Sequence, residues 1–235
     1  MRVLLLGHGR MGQLVESLAP SYDVTIAGVI DEHSDPRAIV DAQHGDVDVA
    51  IDFTLPEAVP RNFPQLAARK IDIVIGTTGW EAHEASMRAT AEQAGIGVLA
   101  ASNFSLGMHV FQLAIEEASR NFAHHAEFGA WIHETHHAMK KDAPSGTALT
   151  IKQVMTAAGY SRPIDVSSTR AGAVPGTHTV GFDGPSESIE FTHTVRDRAV
   201  FARGAIVAAK WLIGKHGWFS LRDLLAEGGR PKAEG

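Results

Sequence analysis

The feature that most constrains this chain lies at its start. Val3-Leu4-Leu5-Leu6 is a short apolar run that ends in Gly7-His8-Gly9-Arg10-Met11-Gly12, and Met11, Leu14, Val15 and Leu18 then recur at helical spacing. A buried strand, a G-x-G-x-x-G loop and an amphipathic helix, in that order, open a dinucleotide-binding βαβ unit. Each glycine has its own reason. Gly7 permits the tight turn, Gly9 lets the backbone approach a pyrophosphate, and Gly12 lets helix and strand pack closely. N–H groups at the helix start supply the anion contacts. His8, Arg10 and Met11 complete the candidate loop. A second apolar run, 24–30, ends at Asp31, 19 residues beyond Gly12. A carboxylate at that point accepts hydrogen bonds from ribose hydroxyls.

The alternation continues. Residues 47–53, 71–75 and 96–100 read as further strands, with helical stretches at 60–69 and 81–94. This order predicts an α/β domain, a Rossmann-like doubly wound parallel sheet. Between Asp31 and residue 47 there is room only for a reduced crossover helix, or none. Gly76-Thr77-Thr78-Gly79 follows one strand and Ala101-Ser102-Asn103-Phe104-Ser105 follows another. Ligands of open α/β sheets lie beyond the carboxyl ends of strands, so both segments are expected beside a nicotinamide-ribose. From residue 106 the pattern changes: a helix at 106–121, a strand at 128–133, a helix at 147–158. Later, Ile189, Phe191, His193 and Val195 share one face of a strand, while Ser188, Glu190, Thr192 and Thr194 share the other. A second α+β domain with a mostly mixed or antiparallel sheet follows, one face being available for a partner or another subunit. Residues 199–214 return to a helical pattern.

Composition narrows the function classes. The 235 residues carry 27 acids and 21 bases, a formal charge of −6, so no nucleic-acid footprint is expected. Cysteine is absent, which excludes disulfides, thiolate metal sites and cysteine nucleophiles and fits a cytoplasmic protein. No apolar stretch approaches a membrane span, and the opening apolar run is too short for a signal peptide. Residues 227–235, rich in glycine and mixed charge, read as a frayed tail.

Thirteen histidines are many for this length, and their placement matters. His133-Glu134-Thr135-His136-His137 satisfies H-E-x-x-H, a zinc pattern that needs both histidines on one helix face. Here the segment continues a β-like run and soon meets Asp142-Ala143-Pro144. Neither a helix centred on Glu134 nor a metal is expected, and His133 reads as an ordinary polar histidine. Residues 136–147 are more informative, because they gather two imidazoles, two ammoniums and a new helix N-terminus. Pro144 stops the preceding segment, and Ser145 or Gly146 caps a helix beginning near Thr147. Its free N–H groups and the Thr147 hydroxyl form a carboxylate-sized anion site. With Lys140 and a titrating histidine nearby, the segment suits a small anionic substrate that needs a proton.

Residues Glu134-Thr135-His136-His137-Ala138-Met139-Lys140-Lys141-Asp142-Ala143-Pro144-Ser145-Gly146-Thr147-Ala148 closely resemble the E-x-H-H-x-x-K-x-D-x-P-S-G-T-A signature of the 4-hydroxy-tetrahydrodipicolinate reductase family, also called dihydrodipicolinate reductase. Asp52-Phe53-Thr54, Gly76-Thr77-Thr78-Gly79, Asn103-Phe104-Ser105-Leu106-Gly107, Arg170-Ala171-Gly172 and Phe201-Ala202-Arg203-Gly204-Ala205 look like further landmarks in family order. The glycine loop is one residue shorter than the family's G-x-x-G-R-M-G. The resemblance implies an NAD(P)H-dependent oxidoreductase of diaminopimelate and lysine biosynthesis. Its substrate would be a cyclic dicarboxylate, reduced with loss of water to tetrahydrodipicolinate.

Carried over by position, the resemblance makes His136 the acid/base residue and Lys140 the proton donor. His137, Ser145, Gly146 and Thr147 would hold substrate carboxylate. Gly76, Thr77 and Thr78, with Ala101, Ser102, Asn103 and Phe104, would line the nicotinamide side. It also implies a dinucleotide-binding domain of 1–105 and 199–235, a substrate-binding and oligomerisation domain of 106–198, and a homotetramer. NADH is the expected cofactor and NADPH an accepted one. Asp31 is joined by Glu32 and Asp35, and no Lys or Arg precedes Arg37; His33 and Arg10 are the groups that could tolerate a 2′-phosphate. Two other readings, a different Rossmann reductase of a small amino acid and a catalytically silent NAD-binding sensor, are disfavoured by the P-S-G-T signature and by intact His136 and Lys140.

Overall fold

A computed structural model describes residues 1–34, 39 and 46–228. In chain order the elements begin β1 (Arg2–Leu6), α1 (Arg10–Leu18), β2 (Thr25–Ile30), β3 (Val49–Asp52), α2 (Val59–Ala68), β4 (Asp72–Ile75), α3 (Glu84–Ala94) and β5 (Gly97–Ala100). They continue α4 (Leu106–Phe122), β6 (Gly129–His136), α5 (Gly146–Ala157), β7 (Ile164–Arg170), β8 (Thr177–Asp183), β9 (Ser188–Thr194), α6 (Ala199–Leu212), β10 (Gly217–Phe219) and α7 (Leu221–Ala226). They form two compact units, Met1–Leu106 with the chain from Ala199 onward, and Gly107–Arg198.

The first unit is a six-stranded sheet in the order β10-β5-β4-β3-β1-β2, parallel throughout. Its strands read as unbroken apolar runs because both faces are covered. Val3 and Leu5 of β1 face a core shared with α1 and α6, through Val15, Ala205 and Ala209. Leu4 and Leu6 face the opposite core, with Phe63 and Leu66 of α2 and Met87 of α3. The strand order reverses at β1, which has β2 on one side and β3 on the other. A ligand crevice of a doubly wound sheet opens at such a point, and Gly7 follows directly. The expected strands and helices are present within a few residues. The segment joining β2 to β3, where a reduced crossover was expected, lies largely outside the described residues, as do Asp35, Arg37 and most of the tail. Strands β7, β8 and β10 and helix α7 are not placed by the sequence reading, and the three residues of β10 are too few to show a period.

Sheet order in the second unit is β7-β6-β8-β9, with β6 and β7 parallel and the other pairs antiparallel. Helices α4 and α5 cover one face, where Phe111, Ile115, Ile151 and Met155 pack on Ile132, Val180 and Phe182. The other face is polar, and Thr177 and Thr179 pair their hydroxyls with Thr194 and Thr192 across the ladder. Strand β6 runs three residues past its expected end at 133, because pairing with β7 continues to His136 opposite Arg170. Among the described residues, no helix is long and apolar enough to cross a membrane.

Candidate active site

The glycine loop has the geometry its sequence suggested. Gly7 sits at φ +86, and a Cβ there would lie 2.4 Å from the Phe53 carbonyl oxygen. At Gly12 a Cβ would lie 2.1 Å from the Gly7 carbonyl oxygen, so helix and loop approach as only glycine allows. Gly9 differs: among the described residues, nothing lies within 4 Å of its missing Cβ. It is the N-cap of α1, with no side-chain cap and no acidic residue in the first turn. An uncapped helix start facing open space is what an anionic pyrophosphate needs. Arg10 is exposed, while the His8 imidazole lies 2.7 Å from Glu16. Asp31 closes a local turn, its Oδ1 accepting from the His33 N–H and the Ser34 hydroxyl at 3.0 Å each. Those bonds hold its carboxyl below the usual range, so it stays ionised.

Three strand ends are locked together beside this loop. Buried Asp52 accepts from the Thr54 N–H at 2.9 Å, the Thr54 hydroxyl at 2.6 Å and the Thr77 hydroxyl at 3.1 Å. Burial pushes its carboxyl pKa up against those three bonds. The Phe53 ring fills the space where a Gly76 side chain would stand and meets Phe104 edge-on at 6.2 Å. The Thr77 hydroxyl is thus committed inside the fold, and its carbonyl accepts from the Trp80 indole at 2.7 Å. Thr78 and Ser102 are exposed, and the Asn103 side chain accepts from the Ser105 N–H at 2.8 Å. Thr77, Ala101 and Ser102 border a cleft of about 430 Å³ at these strand ends.

In the second unit, β6 and the N-terminus of α5 gather the remaining candidates. Alternation along β6 puts Glu134 and His136 on one face and His133 on the other, so the helical H-E-x-x-H geometry is not formed. His133 contacts the Ser167 hydroxyl at 2.9 Å. Glu134 is fully buried. Its Oε1 accepts from the Ser145 N–H at 2.9 Å, the Ser168 hydroxyl at 2.7 Å and the Arg170 guanidinium at 2.8 Å. Burial raises its pKa, but these donors outweigh burial and bring it to about 2. Its Oε2 lies 2.8 Å from His136 Nδ1 and 3.8 Å from His178 Nε2. Burial pulls His136 below the usual histidine range; Glu134 and Asp142 oppose this, while Lys140 and Arg170 reinforce it. His178 falls to about 4, through burial and the neighbouring His136.

Lys140 donates to both carboxylate oxygens of Asp142 at 2.7 and 2.9 Å. Ser145 is the N-cap of α5, accepting from the Ala148 N–H at 3.2 Å. With its own N–H given to Glu134, Ser145 turns its polar groups inward. Gly146 and Thr147 form the accessible first turn, which holds no acidic residue. His137 is half-buried where the strand ends.

Comparison with known proteins bears on both units. Residues 1–104 match the family model for the N-terminus of dihydrodipicolinate reductase, and residues 107–225 match that for its C-terminus. The chain belongs to the dihydrodipicolinate reductase family. A 4-hydroxy-tetrahydrodipicolinate reductase from Christiangramia forsetii is 34% identical over 97% of this chain and 98% of its own. One from Xanthomonas euvesicatoria pv. vesicatoria is 39% identical over 96% and 98%. The fold is shared with a dipicolinate-bound dihydrodipicolinate reductase from Paenisporosarcina sp. TG-14, at TM-score 0.80 and 20% identity over 94% of this chain and 97% of that one. As a dihydrodipicolinate reductase family member, the chain is an oxidoreductase.

The sequence presents Glu134 within a zinc pattern and as the first residue of the family signature, without a role of its own, and it does not single out Ser168 or His178. The signal was present in period-two alternation through residue 136, which pairs Glu134 with His136. His178 needs the register of two separated strands, Glu134 opposite His178.

Proposed function

We propose that this chain catalyses the NAD(P)H-dependent reduction of 4-hydroxy-tetrahydrodipicolinate to tetrahydrodipicolinate. The observation that carries the reading is that residues 1–104 and 107–225 match the N- and C-terminal models of one reductase family, with the signature residues of the C-terminal part gathered at the end of β6 and the start of α5. In net terms a hydride and a proton enter the substrate, and its hydroxyl leaves as water. The nicotinamide supplies the hydride when bound. Gly7 to Gly12 and Asp31 hold the dinucleotide, and Gly76 to Thr78 with Ala101 to Phe104 border its reactive end. Gly146 and Thr147 bind a substrate carboxylate through the N–H groups and hydroxyl of the α5 N-terminus, and His137 assists. His136 and Lys140 supply and accept protons, while Ser145 shapes the site from beneath.

NADH is the preferred cofactor in this reading. Asp31 is ionised at the end of β2, and Glu32 stands beside it. Like charges about 4 Å apart repel by about 1 kcal/mol in water and about 4 near a protein surface. A ribose 2′-phosphate meets that repulsion, whereas a 2′-hydroxyl finds an acceptor. Arg10 and His33 lessen the bias enough for NADPH to be used. Steady-state kcat/KM for both cofactors at one pH and ionic strength tests the preference, and a ratio favouring NADPH removes it. The same reading makes the protein a cytoplasmic homotetramer that associates through the polar face of the β7-β6-β8-β9 sheet. Light scattering of the purified chain tests that assembly.

A further inference from the structure

We propose that Glu134 is the positioning residue of the site, holding His136 so that Nδ1 faces its carboxylate and Nε2 is the nitrogen that exchanges protons. The inference rests on the reading of His136 as the acid/base group and assigns the buried apparatus that makes it one. Glu134 divides its two oxygens. Oε1 is saturated by Ser145, Ser168 and Arg170. Among the described residues, Oε2 has no hydrogen-bond donor, and neither has His136 Nδ1 an aligned partner, yet the two stand 2.8 Å apart. That is already hydrogen-bond distance, and a change of ring angle completes the bond. A buried carboxylate with spare acceptor capacity beside a buried imidazole selects the tautomer that carries its proton on the facing nitrogen.

The opposite edge of the ring supplies an independent observation. Gly176, at φ +155, stands where a Cβ would come within 3.0 Å of His136 Nε2 and 3.3 Å of Cδ2. Glycine at this position leaves Nε2 unobstructed, while Glu134 occupies the Nδ1 side. The charged and titratable groups around the ring come from every neighbouring element: Glu134 on β6, Arg170 on β7, His178 on β8 with His193 of β9 behind it, and Lys140 and Asp142 on the following loop. Arg170 draws on the Glu134 charge through Oε1. His178, held neutral well into the acid range, leaves that charge to His136. The same carboxylate takes the Ser145 N–H at the cap of α5, so one buried group sets both the imidazole and the first turn of the carboxylate-binding helix.

The test compares Glu134→Gln, Arg170→Gln and His136→Ala. The His136 imidazole is titrated by NMR in the ligand-free chain, its resonance assigned by loss in His136→Ala, and kcat is measured against pH. Glutamine keeps the shape but loses the charge, so the His136 pKa should fall by about 1 unit or more in Glu134→Gln. It should rise in Arg170→Gln, where the competing cation is gone; this variant keeps the test open should Glu134→Gln fold poorly. In Glu134→Gln, kcat should drop by about 10²-fold, while KM and the affinity for pyridine-2,6-dicarboxylate change by less than about threefold. The same substitution should cost nothing further in the His136→Ala background. An unmoved His136 titration in both charge variants, or an equal loss of kcat with and without His136, overturns the positioning role alone. Full activity in His136→Ala overturns it together with the reading on which it rests.

Discussion

Gly9→Ala and Gly12→Ala separate two jobs that the glycine loop combines. At Gly12 an added Cβ would stand 2.1 Å from the Gly7 carbonyl oxygen, roughly 1 Å or more inside ordinary contact. Gly7 is tethered, at φ +86, by its N–H donating to the Ile30 carbonyl at 2.7 Å. Helix α1 must therefore back away from β1, and it carries Val15 in the fully buried core. Overpacking of this kind costs about 1–3 kcal/mol, and each kcal/mol lowers Tm by roughly 2–4 °C in a protein of this size. Gly12→Ala should thus melt roughly 2–12 °C below the parent. Gly9, at φ −72 and ψ −165, has extended backbone open to any residue, and its added Cβ meets nothing among the described residues. Gly9→Ala should keep the parent Tm within about 2 °C. Its methyl nevertheless fills the space beside the helix start, so Kd for NADH should rise at least about tenfold, or 1.4 kcal/mol. Thermal melts without ligand and fluorescence titration with NADH measure the two effects. Unchanged NADH affinity in Gly9→Ala would refute the approach of a pyrophosphate to that backbone. An unchanged Tm in Gly12→Ala would refute the packing argument.

Further outcomes follow from the second unit. His136→Ala and Lys140→Ala should each lower kcat by about 10²–10⁴-fold with a smaller change in KM; a kcat within about threefold of the parent removes that residue from proton transfer. Thr147→Val deletes a hydroxyl at the α5 N-terminus and should weaken pyridine-2,6-dicarboxylate binding by about 1.5–3 kcal/mol, so an unchanged Kd by calorimetry contradicts the placement. Glu134 has a folded pKa of about 2 against an ordinary 4.5. Its ionised form contributes about 3 kcal/mol that is complete above pH 4.5 and lost as pH falls towards 2. In acid titrations the stability gap between the parent and Glu134→Gln should close over that interval, and a gap that stays constant contradicts the assignment.

The parts of this molecule that were legible in sequence are those whose cause is local. Gly7 and Gly12 announce the first βαβ unit because the turn and the close packing each exclude a side chain. The strands of the parallel sheet show as unbroken apolar runs because helices cover both faces. The α5 cap at Ser145 follows from its own hydroxyl and the proline before it. What stayed hidden depends on pairing between distant segments. Three residues of β10 have no period to read, and only the return of the chain after α6 places them beside β5. The convergence of Glu134, Arg170 and His178 is a matter of strand register, whereas the β-like run through the H-E-x-x-H spelling shows in the sequence and extends in the structure to His136. The bond of the Thr77 hydroxyl to Asp52 is likewise invisible to apolar strand periodicity, because it joins the ends of two separate strands.

The most direct test of the central claim is turnover by the purified chain of 4-hydroxy-tetrahydrodipicolinate, generated enzymatically in the assay, with NADH deuterated at its transferable position. The account predicts substrate-dependent oxidation of NADH and a product, seen by mass spectrometry, that has lost the substrate hydroxyl and gained the label, with both signals falling together in His136→Ala. No oxidation above the substrate-free rate, or oxidation without transfer of label to the product, would contradict it.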